Sequence, residues 1–234
     1  MKRLLLAALI LSLTLFPLAS RADDSSGTPP TSTYTGRENI EWSDIWLPHT
    51  TENGLPRVLL IGDSITRGYY PVVDKLLDKK AFVCRLTTSQ FISDPLLLGQ
   101  ITLFLDNMKF DVIQFNNGMH GWPHTEDEYR AGFPAFLAAV RDHARGAKLI
   151  WATTTPVNDH PGHVGSLTER VKARNAIALE FVGPAGIDVD DLFTTMLPHP
   201  EYHDAGGIHF TQDGIEVQGE QVAAEIEKVL TAAK

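Results

Sequence analysis

The sequence predicts a three-layer α/β/α sandwich, in which helices cover both faces of a central parallel sheet of about five strands. From Arg57 onwards, short apolar runs alternate with longer amphipathic stretches. Apolar runs without polar alternation are typical of parallel strands buried on both faces. Right-handed helical crossovers join such strands. The predicted strands cover residues 58–61, 81–86, 111–116, 147–153 and 187–189.

Three of the intervening stretches are long enough to predict as helices. They cover residues 126–145, 167–182 and 213–233. Thr125 is placed to cap the first, which carries a stripe of Phe133, Phe136, Leu137 and Val140. We expect these helices to pack their apolar faces on the sheet.

The N-terminal residues have the pattern of an export signal. Lys2 and Arg3 precede an apolar run, and small residues near Ala22 offer a cleavage point. We therefore predict a signal peptide over residues 1–22 and a secreted or periplasmic protein. The next stretch, 23–38, is rich in Ser, Thr, Pro and Gly and is interpreted as a flexible spacer. Residues 39–234 then form one domain.

Composition excludes several classes of partner. A net charge of -9 argues against nucleic acid and anionic membranes, and we expect no membrane attachment after signal removal. The single cysteine, Cys84, cannot form an internal disulfide. His160 and His163 are separated by Pro-Gly, which breaks any helix that would align them, and no third ligand is evident, so no metal is predicted. The sequence has no Gly-rich phosphate loop, and no organic cofactor is predicted. Trp42 and Trp46 are expected to pack rather than to stack on a sugar.

The stretch around Ser64 organises the domain. A predicted strand ends at Gly62-Asp63-Ser64, and an amphipathic segment follows. Ligand sites in open α/β sheets lie beyond the carboxyl ends of the strands. A helix N-terminus there offers free N–H groups to an oxyanion. Asp63 or Ser64 could equally serve only as a helix cap.

Residues 62–66, Gly-Asp-Ser-Ile-Thr, resemble the first block of the SGNH (GDSL-type) serine hydrolases, whose nucleophile is this serine. The resemblance covers roughly residues 57–230 and implies a flavodoxin-like SGNH fold with Ser64 as nucleophile. Residues 116–121, Asn-Asn-Gly-Met-His-Gly, and residues 151–157, Trp-Ala-Thr-Thr-Thr-Pro-Val, are similar to one subgroup of that family.

Serine needs a base to take its proton. The resemblance points to His209, which lies just before the last predicted helix. The family's orienting aspartate, three residues before this histidine, is Gly206 here. Two alternatives follow: Asp204 reaches His209 through the glycine pair at 206 and 207, or Ser64 and His209 work as a dyad.

The resemblance also implies donors for an oxyanion. These are the backbone N–H groups of Ser64 and Ser93 and the side chain of His120, which stands where the family has an asparagine. Asn117 is the substitute if His120 does not serve, and Ser93 is also placed to cap a helix. Residues expected to line the substrate site are Asp63, Gly118, Trp122 and Thr155.

The sequence therefore predicts a secreted serine esterase that hydrolyses O-acyl esters, preferentially O-acetyl groups on carbohydrate, through an acyl-enzyme on Ser64. Its partner would be a small-molecule or glycan ester. The departures at Gly206 and His120 leave a different class open, a non-catalytic carbohydrate-binding or adaptor protein on the same scaffold. A lipase or an acyltransferase of the family is a further alternative, because a fold and its nucleophile do not set the substrate.

Overall fold

The computed structural model describes residues 34–158 and 168–232. The predicted signal peptide, residues 23–33 of the predicted spacer, and both His160 and His163 lie outside these ranges.

A six-stranded sheet forms the centre of the domain, in the order β1-β3-β2-β4-β5-β6. The strands are β1 (Ser43–Trp46), β2 (Arg57–Gly62), β3 (Phe82–Thr88), β4 (Val112–Phe115), β5 (Lys148–Ala152) and β6 (Asp188–Asp190). Strands β2 to β6 are parallel, which confirms the five predicted strands. The sequence did not predict β1, which pairs antiparallel with the β3 edge and places Ser43 opposite Thr88.

The helices connect these strands in the predicted alternation. They are α1 (Ser64–Leu76), α2 (Pro95–Asn107), α3 (Glu126–Arg141), α4 (Thr168–Val182), α5 (Leu192–Met196) and α6 (Gln212–Ala232). Thr125 caps α3 in a reciprocal capping box with Glu128. Helix α3 ends four residues before its predicted end, ahead of a turn at Gly146 with φ of 88°. No helix in the described part of the chain is long and apolar enough to cross a bilayer.

Two hydrophobic clusters lie on opposite faces of the sheet and confirm the three layers. Val58 and Leu60 of β2 belong to one cluster, which includes residues of α1 and α6. Leu59 and Ile61 belong to the other, which includes residues of α2 and α3. The alternation along β2 follows from the period of two in a strand. Successive residues of β2 are thus buried on alternate faces of the sheet.

The segment before β1 contacts the domain. Arg37 donates two hydrogen bonds to the fully buried carboxylate of Asp94, at 2.8 and 2.9 Å. The Arg67 guanidinium lies 4.6 Å from the centre of the Trp42 ring. Residues 34–38, which the sequence assigned to the spacer, are therefore part of the packed structure, and Trp42 is a packing residue.

One buried carboxylate in the sheet predicts a pH-dependent stability. Asp190, at the end of β6, is 1% exposed and accepts hydrogen bonds from Gln114 Nε2 (2.7 Å) and Gln221 Nε2 (2.6 Å). Burial outweighs these bonds and raises the pKa of Asp190 to about 6. Between the unfolded pKa and this value, the native state keeps a proton that the unfolded chain has lost. The free energy of unfolding therefore falls as pH rises through this interval.

We expect Asp190→Asn to remove this slope. Relative to the variant, the wild type should lose about 2 kcal/mol of unfolding free energy between pH 4 and pH 8. Urea unfolding at both pH values measures the difference. Asp188→Asn is the matched control, since Asp188 is exposed in the same strand. Parallel wild-type and Asp190→Asn curves would show that Asp190 ionises normally.

Candidate active site

Ser64 lies at the junction of β2 and α1, at the carboxyl edge of the sheet. Asp63 is the N-cap of α1, and its Oδ1 accepts the Ile65 N–H at 2.8 Å. Ser64 is the first residue of the helix, so its own N–H has no intrahelical acceptor. A Cβ at position 62 would come within 2.1 Å of Thr66 Oγ1, which explains the glycine before the turn. The capping role of Asp63 thus holds, and it leaves Ser64 free for chemistry.

His209 reaches Ser64 from the loop before α6. Its Nε2 atom lies 2.8 Å from Ser64 Oγ, although 145 residues separate the two in sequence. The backbone of the loop is held on both sides: the Asp204 N–H donates to the His209 carbonyl at 2.9 Å, and the Thr211 N–H donates to the Tyr202 carbonyl at 2.7 Å. A serine hydroxyl is therefore paired with an imidazole base at the helix N-terminus.

The Asp204 carboxylate is engaged in its own turn. Its Oδ1 accepts the N–H of Gly206 at 2.9 Å and that of Gly207 at 3.1 Å, and Gly207 has a φ of 74°. Short acidic side chains commonly bond to nearby backbone in this way. Among the described residues, no hydrogen bond joins the Asp204 carboxylate to the His209 ring or occupies His209 Nδ1. The two residues meet only through their backbones, and this geometry favours the dyad.

The two asparagines after β4 make structural hydrogen bonds. Asn116 Nδ2 donates to the Ala152 carbonyl at 2.7 Å and lies 3.0 Å from Thr154 Oγ1. Asn117 Nδ2 donates to the Gln90 carbonyl at 3.0 Å. Both amides tie the loop to neighbouring strand ends. The geometry gives no support to Asn117 as an oxyanion donor.

Ser93 precedes α2, but the residue that caps this helix is Asp94. The Asp94 Oδ1 accepts the Leu96 N–H at 2.9 Å, and Pro95 is the first helical residue. The Ser93 hydroxyl lies 3.4 Å from Tyr34 Oη. The alternative role of Ser93 as a cap is therefore wrong, and its backbone N–H remains a predicted oxyanion donor.

His120 is held by a residue of the N-terminal segment. Its Nδ1 lies 3.2 Å from both carboxylate oxygens of Glu38, and the Gly121 N–H donates to Glu38 Oε1 at 2.9 Å. Both side chains are largely buried, with 15% and 17% exposed. Burial raises the pKa of Glu38, but its hydrogen bonds outweigh this and hold the pKa below its ordinary value. Sequence reasoning missed Glu38, which lies in the predicted spacer.

Arg174 of α4 organises the loop that carries His120. Its guanidinium donates to the carbonyls of Gly118 (3.1 Å), His120 (2.6 Å) and Gly121 (3.2 Å). It also lies over the rings of Phe91 and Tyr129, at 5.5 and 5.2 Å. Burial lowers the pKa of Arg174 to about 10, so the group is charged at neutral pH. Sequence reasoning did not identify this residue.

The four residues predicted to line the substrate site stay a prediction, and the structure shows the contacts that each of them makes. Asp63 and Thr155 line a small cavity below the Ser64 turn, and Thr155 Oγ1 has no hydrogen-bond partner among the described residues. Gly118 packs against Thr154, whose Oγ1 would lie 2.2 Å from a Cβ at that position. Trp122 is half-buried, and its carbonyl accepts a hydrogen bond from Arg170.

The described residues offer no obvious site for a metal ion. Within residues 34–158 and 168–232, no three His, Cys, Asp or Glu side chains cluster in an arrangement that could hold one. The arrangement can support proton transfer between Ser64 and His209. The free N–H groups at the N-terminus of α1 and the His120 imidazole lie at the same edge of the sheet.

Comparison with known proteins identifies the fold. No family model and no curated protein sequence matches the chain. Among solved structures, it is similar to a lipase/acylhydrolase from Enterococcus faecalis (TM-score 0.62, 19% identity, 74% of this chain and 96% of that one). It is also similar to a carbohydrate esterase of family 3 from Talaromyces cellulolyticus (TM-score 0.58, 14% identity, 76% of this chain and 99% of that one). A third similar structure is an acetyl xylan esterase (TM-score 0.58, 14% identity, 73% of this chain and 99% of that one).

At these identities the likeness concerns the fold alone. The chain has the α/β fold found in structures of GDSL-type lipases and acylhydrolases.

Proposed function

We propose that this protein is an exported serine esterase that hydrolyses short O-acyl groups, with acetyl groups on carbohydrate as the preferred class. One observation carries the proposal: Ser64 Oγ and His209 Nε2 lie at hydrogen-bond distance, 2.8 Å, at the N-terminus of α1. A nucleophile within reach of its base is the structural requirement of nucleophilic acyl transfer.

The reaction would proceed through an acyl-enzyme. His209 Nε2 takes the proton from Ser64 Oγ as the oxygen attacks the ester carbonyl, and the Ser64 N–H at the helix N-terminus stabilises the resulting oxyanion. His209 then gives its proton to the departing alcohol. A water molecule, activated by the same histidine, attacks the acyl carbonyl, and Ser64 leaves with the proton that His209 returns.

The recess beside the nucleophile supports a short acyl group. It is lined by Ile65, Gly68, Phe210 and Ile215 next to Ser64 and His209, and its volume is about 40 Å³. Since about 10–15 Å³ of such a cavity volume holds one water molecule, the recess admits a group of a few heavy atoms. This volume favours an acetyl esterase over a lipase. The carbohydrate esterase and the acetyl xylan esterase with the same fold support a glycan as the alcohol.

The proposed export rests on the N-terminal sequence pattern. The non-catalytic alternative is less consistent with the site, because a binding protein has no chemical need for a hydroxyl paired with an imidazole.

A fluorophosphonate probe tests the proposal without knowledge of the substrate. We expect the purified protein to react at Ser64, with the modified peptide identified by mass spectrometry, and Ser64→Ala to remain unmodified. Hydrolysis of p-nitrophenyl acetate, p-nitrophenyl decanoate and acetylated xylan then separates acyl length from alcohol class. Faster turnover of the decanoate would overturn the short-acyl assignment, and absence of Ser64 labelling would overturn the esterase.

A further inference from the structure

A buried nitrogen of His120 has no use in the fold. Its Nε2 atom is shielded from solvent and has no hydrogen-bond partner among the described residues. The other ring nitrogen is held by Glu38. Buried polar atoms are almost always paired in native structures, so an orphan of this kind calls for a partner that binds during function.

We propose that His120 is a positively charged donor to the oxyanion that forms during acyl transfer to Ser64, and that Glu38 is the residue that positions and charges it. The inference rests on the proposed function and adds to it a residue that the sequence did not indicate and a charge state for His120.

The hydrogen-bond chemistry fixes where the first proton lies. An ionised carboxylate only accepts hydrogen bonds, so the His120 nitrogen that faces Glu38, Nδ1, must carry a hydrogen. A neutral ring in that tautomer has a lone pair on Nε2, which would repel an oxyanion. Only the doubly protonated ring can donate from Nε2. A neutral imidazole is therefore excluded as the donor once Glu38 is in place.

The surrounding charges favour the doubly protonated ring. Burial alone lowers the pKa of His120, but the Glu38 hydrogen bond and the charges of Asp63, Glu38 and Glu41 outweigh it and raise the pKa above its ordinary value. The cations nearby are Arg174, which donates to the His120 carbonyl, and Arg67, on the Trp42 ring that approaches His120 edge-on.

The topology brings the loop that carries His120 to the same edge of the sheet as Ser64. His120 follows β4, and β4 is the parallel neighbour of β2, which leads into Ser64. Asp63, immediately before Ser64, is one of the charges that act on His120. A charged donor forms a hydrogen bond roughly twice as strong as a neutral one. The Glu38–His120 pair thus adds a positive charge to a site in which no described carboxylate hydrogen-bonds the ring of the base, His209.

The two histidines would then work in opposite protonation states. His209 must be neutral to accept a proton, whereas His120 must be charged to donate from Nε2. Activity should fall at higher pH as His120 loses its second proton. An esterase with only neutral oxyanion donors would keep its activity on the alkaline side.

Inactivation by a fluorophosphonate measured from pH 5 to pH 10 tests this inference. Fluoride leaves without needing a proton, so His209 acts only as a base and an alkaline decline reports on another group. We compare the wild type with His120→Gln, which offers a neutral amide donor, and with Glu38→Gln, which keeps the shape and removes the charge. Glu52→Gln is the matched control, because Glu52 binds His49 Nδ1 at 2.6 Å in an exposed turn before β2.

We expect the wild-type rate constant to fall at least about tenfold above its optimum, since one donor to an oxyanion is worth about 10²–10³ in rate. In Glu38→Gln the decline should begin about 1–3 pH units lower, the usual effect of losing an opposite charge. In His120→Gln the decline should disappear, with an optimum about tenfold slower because a neutral donor replaces a charged one. Glu52→Gln should match the wild type.

A wild-type rate that stays flat to pH 10, or a decline that persists in His120→Gln, would overturn the inference while Ser64 labelling still supported the esterase. A wild type that does not react at Ser64 would overturn the esterase itself, and the inference with it. The position of the decline does not depend on how much of a variant is folded. Imidazole ¹⁵N NMR, with His120 assigned from the His120→Gln spectrum, must show Nε2 protonated to higher pH in the wild type than in Glu38→Gln.

Discussion

We expect Ser64→Ala and His209→Ala each to lower kcat on p-nitrophenyl acetate by at least about 100-fold, and the double variant to be no slower than either single variant. In the proposed mechanism Ser64 and His209 act as one unit, so removal of either ends the same step. In complete triads such losses reach about 10⁶, of which the orienting carboxylate accounts for about 10⁴. No described carboxylate hydrogen-bonds the His209 ring, so the wild-type kcat lacks the contribution of an orienting carboxylate. The loss on removing Ser64 or His209 is therefore expected to be smaller than in a complete triad.

The matched control for His209→Ala is His143→Ala. His143 pairs with Asp106 on the surface and lies far along the chain from the nucleophile. The control should keep wild-type kcat and KM. A double variant much slower than both single variants would show that Ser64 and His209 act independently, contrary to the dyad.

Arg174→Met should produce the largest loss of stability. The substitution removes the guanidinium that donates to the carbonyls of Gly118, His120, Gly121 and His124. It leaves the carbonyls of Gly118 and His120 without a described donor. Removal of one member of a buried charged network costs about 3–5 kcal/mol. For a domain of this size we expect the melting temperature to fall by about 10 °C. Differential scanning calorimetry at pH 7 measures the change.

Arg130→Met separates the effect of burial from that of losing an arginine. Arg130 forms an ion pair with Glu180 on the surface, where both side chains are about half exposed. Such exposed pairs contribute little, so the melting temperature should stay near the wild-type value. Equal losses in the two variants would show that the buried contacts of Arg174 do not stabilise the loop.

The sequence was most informative where one local pattern decides the structure. Apolar runs predicted β2 to β5, and the break at Gly62-Asp63-Ser64 placed Ser64 at the start of a helix. The pairing of Ser64 with His209 was predicted from the resemblance to the SGNH hydrolases, which implies a histidine just before the last helix as the base of this serine.

The sequence was least informative where the partner is distant or the pattern is weak. Strand β1 is only four residues long and mostly exposed, so it has no apolar run to detect. Glu38 and His120 are 82 residues apart, and nothing local links them. Asp204 is the nearest acid upstream of His209 along the chain, but its carboxylate accepts hydrogen bonds from backbone N–H groups of its own turn instead. Arg174 lies in a helix rich in charged residues, where a buried guanidinium cannot be told from a solvated one.

The segment before β2 has a double role with a practical consequence for how the protein is produced. It covers the edge of β3 with β1, and it carries Glu38 to the loop after β4. An expression boundary chosen from the motifs alone, at residue 57, would leave β3 as a bare edge able to pair with other chains. The same cut would discard the carboxylate that holds His120. The shortened protein would then both aggregate and lose activity. Its low activity would be attributed to aggregation, although the loss of Glu38 would also contribute.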